Sequence, residues 1–116
     1  MKRILLINQD QKFIGDLQTK FARRYDILAT ENYDTAYQLC RTFKIDLLLA
    51  ELPHENVKNG NIRLKKFLKR MRQKKFSHIT KVLTVSDGGD YHLEEFLNYG
   101  IAALVMNVEE MERWLK

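Results

Sequence analysis

With 116 residues, 45% of them apolar and 30% charged, the chain is long enough for one compact domain spanning residues 1–116 to bury a core without disulfide or metal staples. No apolar run approaches the roughly 20 residues of a membrane span, and no hydrophobic signal region precedes a cleavage site, so a soluble, cytoplasmic protein without membrane insertion is expected. Cys40 is the single cysteine, which excludes an internal disulfide, and its Ala-x-x-Leu-Cys-x-x-Phe setting points to a small core residue. The net charge of +5 is unevenly spread: Lys58 to Lys81 holds ten Lys or Arg and no Asp or Glu, leaving ten basic against fifteen acidic residues elsewhere.

Arg3 to Ile7 is short and aliphatic and ends at polar Asn8-Gln9-Asp10, as a strand covered on both faces would. Phe13, Ile14, Leu17 and Phe21 then follow the spacing of a helix's buried side. Tyr25 to Thr30 predicts a second strand, and Ala36, Leu39, Cys40 and Phe43 a second helix. Asp46 to Glu51 predicts a third strand running into a polar loop, Pro53 to Gly60. Leu64, Phe67, Leu68 and Met71, at i, i+3, i+4 and i+7, predict a basic third helix. A fourth strand is expected near Lys81 to Val85. The loop Ser86-Asp87-Gly88-Gly89-Asp90 comes next, then a helix burying Leu93, Phe96 and Leu97 that Gly100 can stop. Ala102 to Met106 predicts the fifth strand, and Val108, Met111, Trp114 and Leu115 a short terminal helix.

Five short strands alternating with five amphipathic helices predict an α/β fold of three layers. A parallel sheet needs right-handed crossovers, which cover both its faces. The expected topology is flavodoxin-like (βα)5 with strand order 2-1-3-4-5, and ligands of such sheets bind beyond the carboxyl ends of the strands.

At those strand ends the sequence resembles the CheY-like response-regulator receiver domains over almost its whole length. Ile4-Leu5-Leu6-Ile7-Asn8-Gln9-Asp10 is similar to their first strand, and Asp46-Leu47-Leu48-Leu49-Ala50-Glu51-Leu52 to their phosphoacceptor strand. Val82-Leu83-Thr84 resembles the strand ending in a switch hydroxyl, and Gly100 to Val108 the last strand. The resemblance implies an acidic metal-binding pair at Asn8 and Gln9, an acceptor Asp at Glu51, the hydroxyl at Thr84 and a Lys at Asn107. Of these only Thr84 keeps the family's residue. Leu104 stands where an aromatic switch residue is usual, and Asn107-Val108 where Lys-Pro is usual. Pro53 removes an amide donor beside the old acceptor.

Magnesium prefers charged oxygen ligands in octahedral geometry and gives up water reluctantly, so amides at Asn8 and Gln9 remove much of the attraction. No metal and no cofactor are therefore expected. Asp10 has two readings: a carboxylate that partly replaces the missing pair, or the cap of the first helix. Glu51 reaches about 1.5 Å further than an Asp would. It either imitates a phosphorylated acceptor, with Thr84 donating a hydrogen bond to it, or is a solvated strand-end carboxylate.

On the third helix Arg63, Lys66 and Arg70 form one charged stripe and Lys65, Lys69 and Arg72 another, extended by Lys74 and Lys75. This is either a solvated face or a docking surface for an anionic partner. His54, His78 and His92 lack ligand-like spacing. Tyr91, Phe96, Tyr99 and Trp114 fall on the side that receivers commonly use for partners or dimers, with Phe96 and Trp114 expected in the core. The function expected is a phosphorylation-independent pseudo-receiver, not an enzyme, acting in signalling through a protein partner or a homodimer. The alternative is a basic flavodoxin-like module binding nucleic acid through the Lys58 to Lys81 surface.

Overall fold

The computed structural model describes residues 1–53, 59–85, 93–96, 98–106 and 109–114. The aliphatic runs form five parallel strands: β1 (Lys2–Ile7), β2 (Tyr25–Thr30), β3 (Leu47–Glu51), β4 (Thr80–Thr84) and β5 (Ala103–Val105), in the order β2-β1-β3-β4-β5. Register pairs Ile7 with both Thr30 and Ala50, Glu51 with Thr84, and Thr84 with Val105. The polar residues that follow each run thus emerge along one edge of the sheet.

Alternation along the strands sorts the core into two halves. Leu5, Ile7, Leu48, Ala50 and Leu83 face one side and meet Ala36, Cys40, Leu64, Phe67 and Leu68. Ile4, Leu6, Leu47, Leu49 and Val82 face the other and meet Leu17, Phe21 and Met111. Both faces of the central strands are buried, which explains why they carry aliphatic residues at consecutive positions.

The helices are α1 (Gln11–Phe21), α2 (Tyr33–Thr42) and α3 (Gly60–Arg70). Caps set the first two starts. The Asp10 side chain accepts from Lys12 N at 3.0 Å and Phe13 N at 3.3 Å, and Asn32 Oδ1 accepts from Thr35 N at 3.0 Å. Asn59, at a left-handed φ of 59°, turns the chain into α3 without a side-chain cap. Leu64, Phe67, Leu68 and Met71 are all buried, as their spacing predicts.

Several expectations need correction. Phe43 is 41% exposed: α2 ends at Thr42 and Phe43 adopts an extended backbone, so it leaves the helical face that holds Ala36 and Cys40. Where a helix was expected after β4 and a short terminal one after β5, the described residues form 3-10 segments, Leu93–Phe96 and Glu109–Arg113. The first closes with Tyr99 N donating to Phe96 O, and Gly100, at φ +72°, then turns the chain toward β5. Phe96 is buried, but Trp114 is 38% exposed because the last segment ends at Arg113 and the chain no longer follows the face of buried Met111. The loop Ser86–Asp90, Tyr91, Leu97, Val108 and Leu115 lie outside the described residues.

Candidate functional site

The strand ends gather the residues singled out above, but they do not form one cluster. Asn8 closes β1, and its backbone N–H donates to Thr30 O at 3.2 Å. Its side chain is buried, and Oδ1 accepts from Asp10 N at 2.7 Å. The amide therefore folds the turn into α1. Asp10 Oδ1 accepts from two N–H groups of the first helical turn, the geometry of the capping reading of the two left open by sequence. It borders a cavity of about 310 Å³ beside Phe13, Asp16 and Met106, whereas Asn8, Gln9 and Glu51 border a different groove. Asn107 lies outside the described residues. Among the described residues no group of three or more His, Cys, Asp or Glu side chains could hold a metal ion.

Glu51 and Thr84 are register partners on β3 and β4, and Leu52 N donates to Thr84 O at 2.8 Å. The expected hydrogen bond from the Thr84 hydroxyl to Glu51 is nevertheless not made. Thr84 is 2% exposed and its Oγ1 has no partner among the described residues. The reason lies in where Glu51 goes: it lines the groove on the α2–α3 side, beside Tyr33 and Arg63, and Thr84 does not reach that groove. A relay from carboxylate to hydroxyl is thus absent. Leu104, in place of an aromatic, packs against the α2–α3 half of the core.

The groove itself encloses about 640 Å³ above the ends of β1 and β3, the point at which successive crossovers leave opposite faces of the sheet. Tyr33 stacks on Phe67 at 5.2 Å between ring centroids and forms part of its wall. Burial pushes the Tyr33 hydroxyl above its ordinary pKa, with Arg63 pulling it down and Glu51 pushing it up. Arg63, Lys66 and Arg70, the first predicted stripe, line the groove opposite Glu31, Asp34 and Glu51. Cations and carboxylates balance there, so the groove is not a simple anion trap.

The basic block is also less uniform than its sequence suggests. Arg70 Nη1 meets Asp34 Oδ1 at 2.9 Å, and Lys65 Nζ meets Glu95 Oε1 at 2.6 Å, while Asn61 Nδ2 donates to Glu95 Oε2 at 2.8 Å. Lys81 does not belong to the surface at all. It sits on β4 at 9% exposure, donates to Ile79 O at 3.3 Å, and burial lowers its pKa. Its stem follows the strand alternation into the core, which a count of charges cannot register. Lys66, Lys69, Arg72, Lys74 and Lys75 are exposed. Sequence reasoning missed Tyr37 and Arg41, which α2 brings beside the block: the Arg70 guanidinium lies 3.9 Å from the Tyr37 ring centroid and that of Arg41 at 6.0 Å. Cys40 is buried, and burial pushes its thiol up to about 11, so it stays protonated and inert at neutral pH.

No protein-family model matches the sequence, and no curated protein matches it. Solved structures do. The N-terminal domain of the nisin resistance regulator NsrR, a lantibiotic response regulator, superposes with a TM-score of 0.74 at 18% identity over 99% of this chain and 95% of that one. The signal receiver domain of an HD-domain-containing protein from Pseudomonas fluorescens gives 0.74 at 20% identity over 98% and 83%. Response regulator TrrA from Thermotoga maritima, solved in complex with magnesium and beryllium fluoride, gives 0.68 at 17% identity over the whole of both chains. The chain has the CheY-like receiver fold, as the order of its strand ends implied. Among the described residues no helix is long and apolar enough to cross a membrane.

Proposed function

We propose that the chain is a pseudo-receiver, a receiver-fold module that acts in signal transduction or regulation through protein–protein contact, without phosphorylation and without catalysis. One observation carries the reading: the polar groups at the old acceptor corner do not converge. Asn8 holds the turn into α1, Asp10 caps that helix, and the Thr84 hydroxyl is sealed away from Glu51. A phosphoryl group needs a carboxylate acceptor, a cation to neutralise it and a hydroxyl to receive it, and these three would have to converge. Here the carboxylates face two different cavities. Signalling as a role is supported by the structural neighbours, which are response regulators and receiver domains.

Protein contact fits the side of the molecule that carries β5 and the terminal segment. Met106 and Trp114 are 51% and 38% exposed there, two of the few large apolar side chains left in solvent among the described residues. A protein partner or a second copy would cover them. Incubating the chain with magnesium and acetyl phosphate, followed by intact-mass measurement, tests the phosphorylation-independent part. The expected result is an unmodified mass; a phosphoryl adduct that maps to Glu51 would overturn it.

A further inference from the structure

The ring of Tyr37 is the meeting point of cations from three separate elements. Arg70 from α3 lies over it at 3.9 Å, Lys75 from the 3-10 segment Lys74–Phe76 at 5.8 Å and Arg41 from α2 at 6.0 Å. Gln73 Nε2 donates to the Tyr37 hydroxyl at 3.2 Å, and this bond together with the surrounding cations holds the hydroxyl below its ordinary pKa. Lys74 adds a further exposed charge beside Lys75. Like charges brought this close repel unless an anion lies among them. The one described carboxylate that answers them is Asp34, and it occupies a single nitrogen of Arg70. A guanidinium has five N–H donors in a planar fork, so Arg70 keeps donors for a second anion.

We propose that this face, formed by the C-terminal halves of α2 and α3 and centred on Tyr37, binds the sugar–phosphate backbone of nucleic acid without regard to base sequence. The inference goes beyond the pseudo-receiver reading and uses a different surface from Met106 and Trp114. Two features favour nucleic acid over an acidic protein. Protein interfaces are built round a desolvated apolar or aromatic centre, whereas the aromatic ring here is only half-exposed and already roofed by Arg70. Nucleic-acid interfaces are polar, wet and strongly positive, and Arg41, Arg70, Lys74 and Lys75 are all exposed. The donors on this face are Arg and Lys side chains, which match phosphate oxygens, so the contacts are to phosphate.

The test is fluorescence anisotropy of the whole chain with a short labelled duplex of mixed sequence, at salt concentrations from about 50 to about 200 mM. If about four phosphates are neutralised, affinity falls about a hundredfold over that range. Substituting Arg41→Gln, Lys74→Gln and Lys75→Gln together leaves the Arg70–Asp34 pair intact and lowers the salt slope by about three. A control with the same charge loss elsewhere, Lys2→Gln, Lys12→Gln and Arg23→Gln, leaves the slope within about half a unit of the original. Circular dichroism of both variants checks that the fold is retained. Absence of binding overturns the proposal, and so does an equal loss in the two variants, which would reduce the effect to net charge. Salt-sensitive self-association without oligonucleotide would assign the face to a second copy and overturn it as well.

Discussion

Thr84 ends β4 with its hydroxyl buried and unpaired among the described residues, and a buried hydroxyl without a hydrogen bond costs about 1 to 3 kcal/mol. Thr84→Val keeps the branched shape and removes the stranded oxygen. Its expected effect is a gain of about 1 kcal/mol, read as a higher midpoint in urea unfolding with an unchanged slope. A loss of similar size would mean that the hydroxyl is bonded and that the corner is better connected than described. At this scale the sequence was legible where one residue type has one job: Cys40 is the small core residue its apolar neighbours announce. It was not legible at Lys81, because a lysine in a strand buries its stem or exposes it according to the face it lands on. Nor was it legible at Tyr37, whose cationic neighbours Arg70 and Lys75 are distant in the chain and are joined to it only by the packing of α2 on α3.

Among the elements, α1 tests the reading of the first strand end most directly. Asp10 holds two N–H groups at the helix start, and losing such a cap costs about 1 kcal/mol. Asp10→Ala should therefore destabilise the protein by that amount, while Asp10→Asn, which can still cap, should cost much less; thermal unfolding of the two variants separates them. Similar losses in both would assign the carboxylate's charge a role that capping does not explain. The interior strands and the first three helices were readable because aliphatic runs and i, i+3, i+4 spacing report burial independently of what lies next to them. Phe43 and Trp114 were misplaced for one shared reason: each follows the last residue of its element, where a period continues in sequence after the backbone has left the helix. The 3-10 segments after β4 and β5 are too short for periodicity to distinguish them from α-helix.

For the whole molecule, strand order follows from alternation and handedness, which is why β2-β1-β3-β4-β5 could be anticipated from one sequence. The charge distribution follows from neither. The block from Lys58 to Lys81 holds ten basic residues, whereas residues 82–116 carry seven acidic and two basic ones. The fold brings a cation of the first to a carboxylate of the second at the Lys65–Glu95 pair, and leaves Arg41, Arg70, Lys74 and Lys75 exposed around Tyr37. The receiver fold is thus kept around strand ends at which Asn8 and Asp10 hold the turn into α1. A spectrum of the backbone amides, recorded with and without magnesium and beryllium fluoride, addresses that claim most directly. The expected spectrum is well dispersed, and Asn8, Glu51, Thr84 and their neighbours do not shift in it. Saturable shifts clustered at those residues would contradict it and show that a working phosphoryl switch survives.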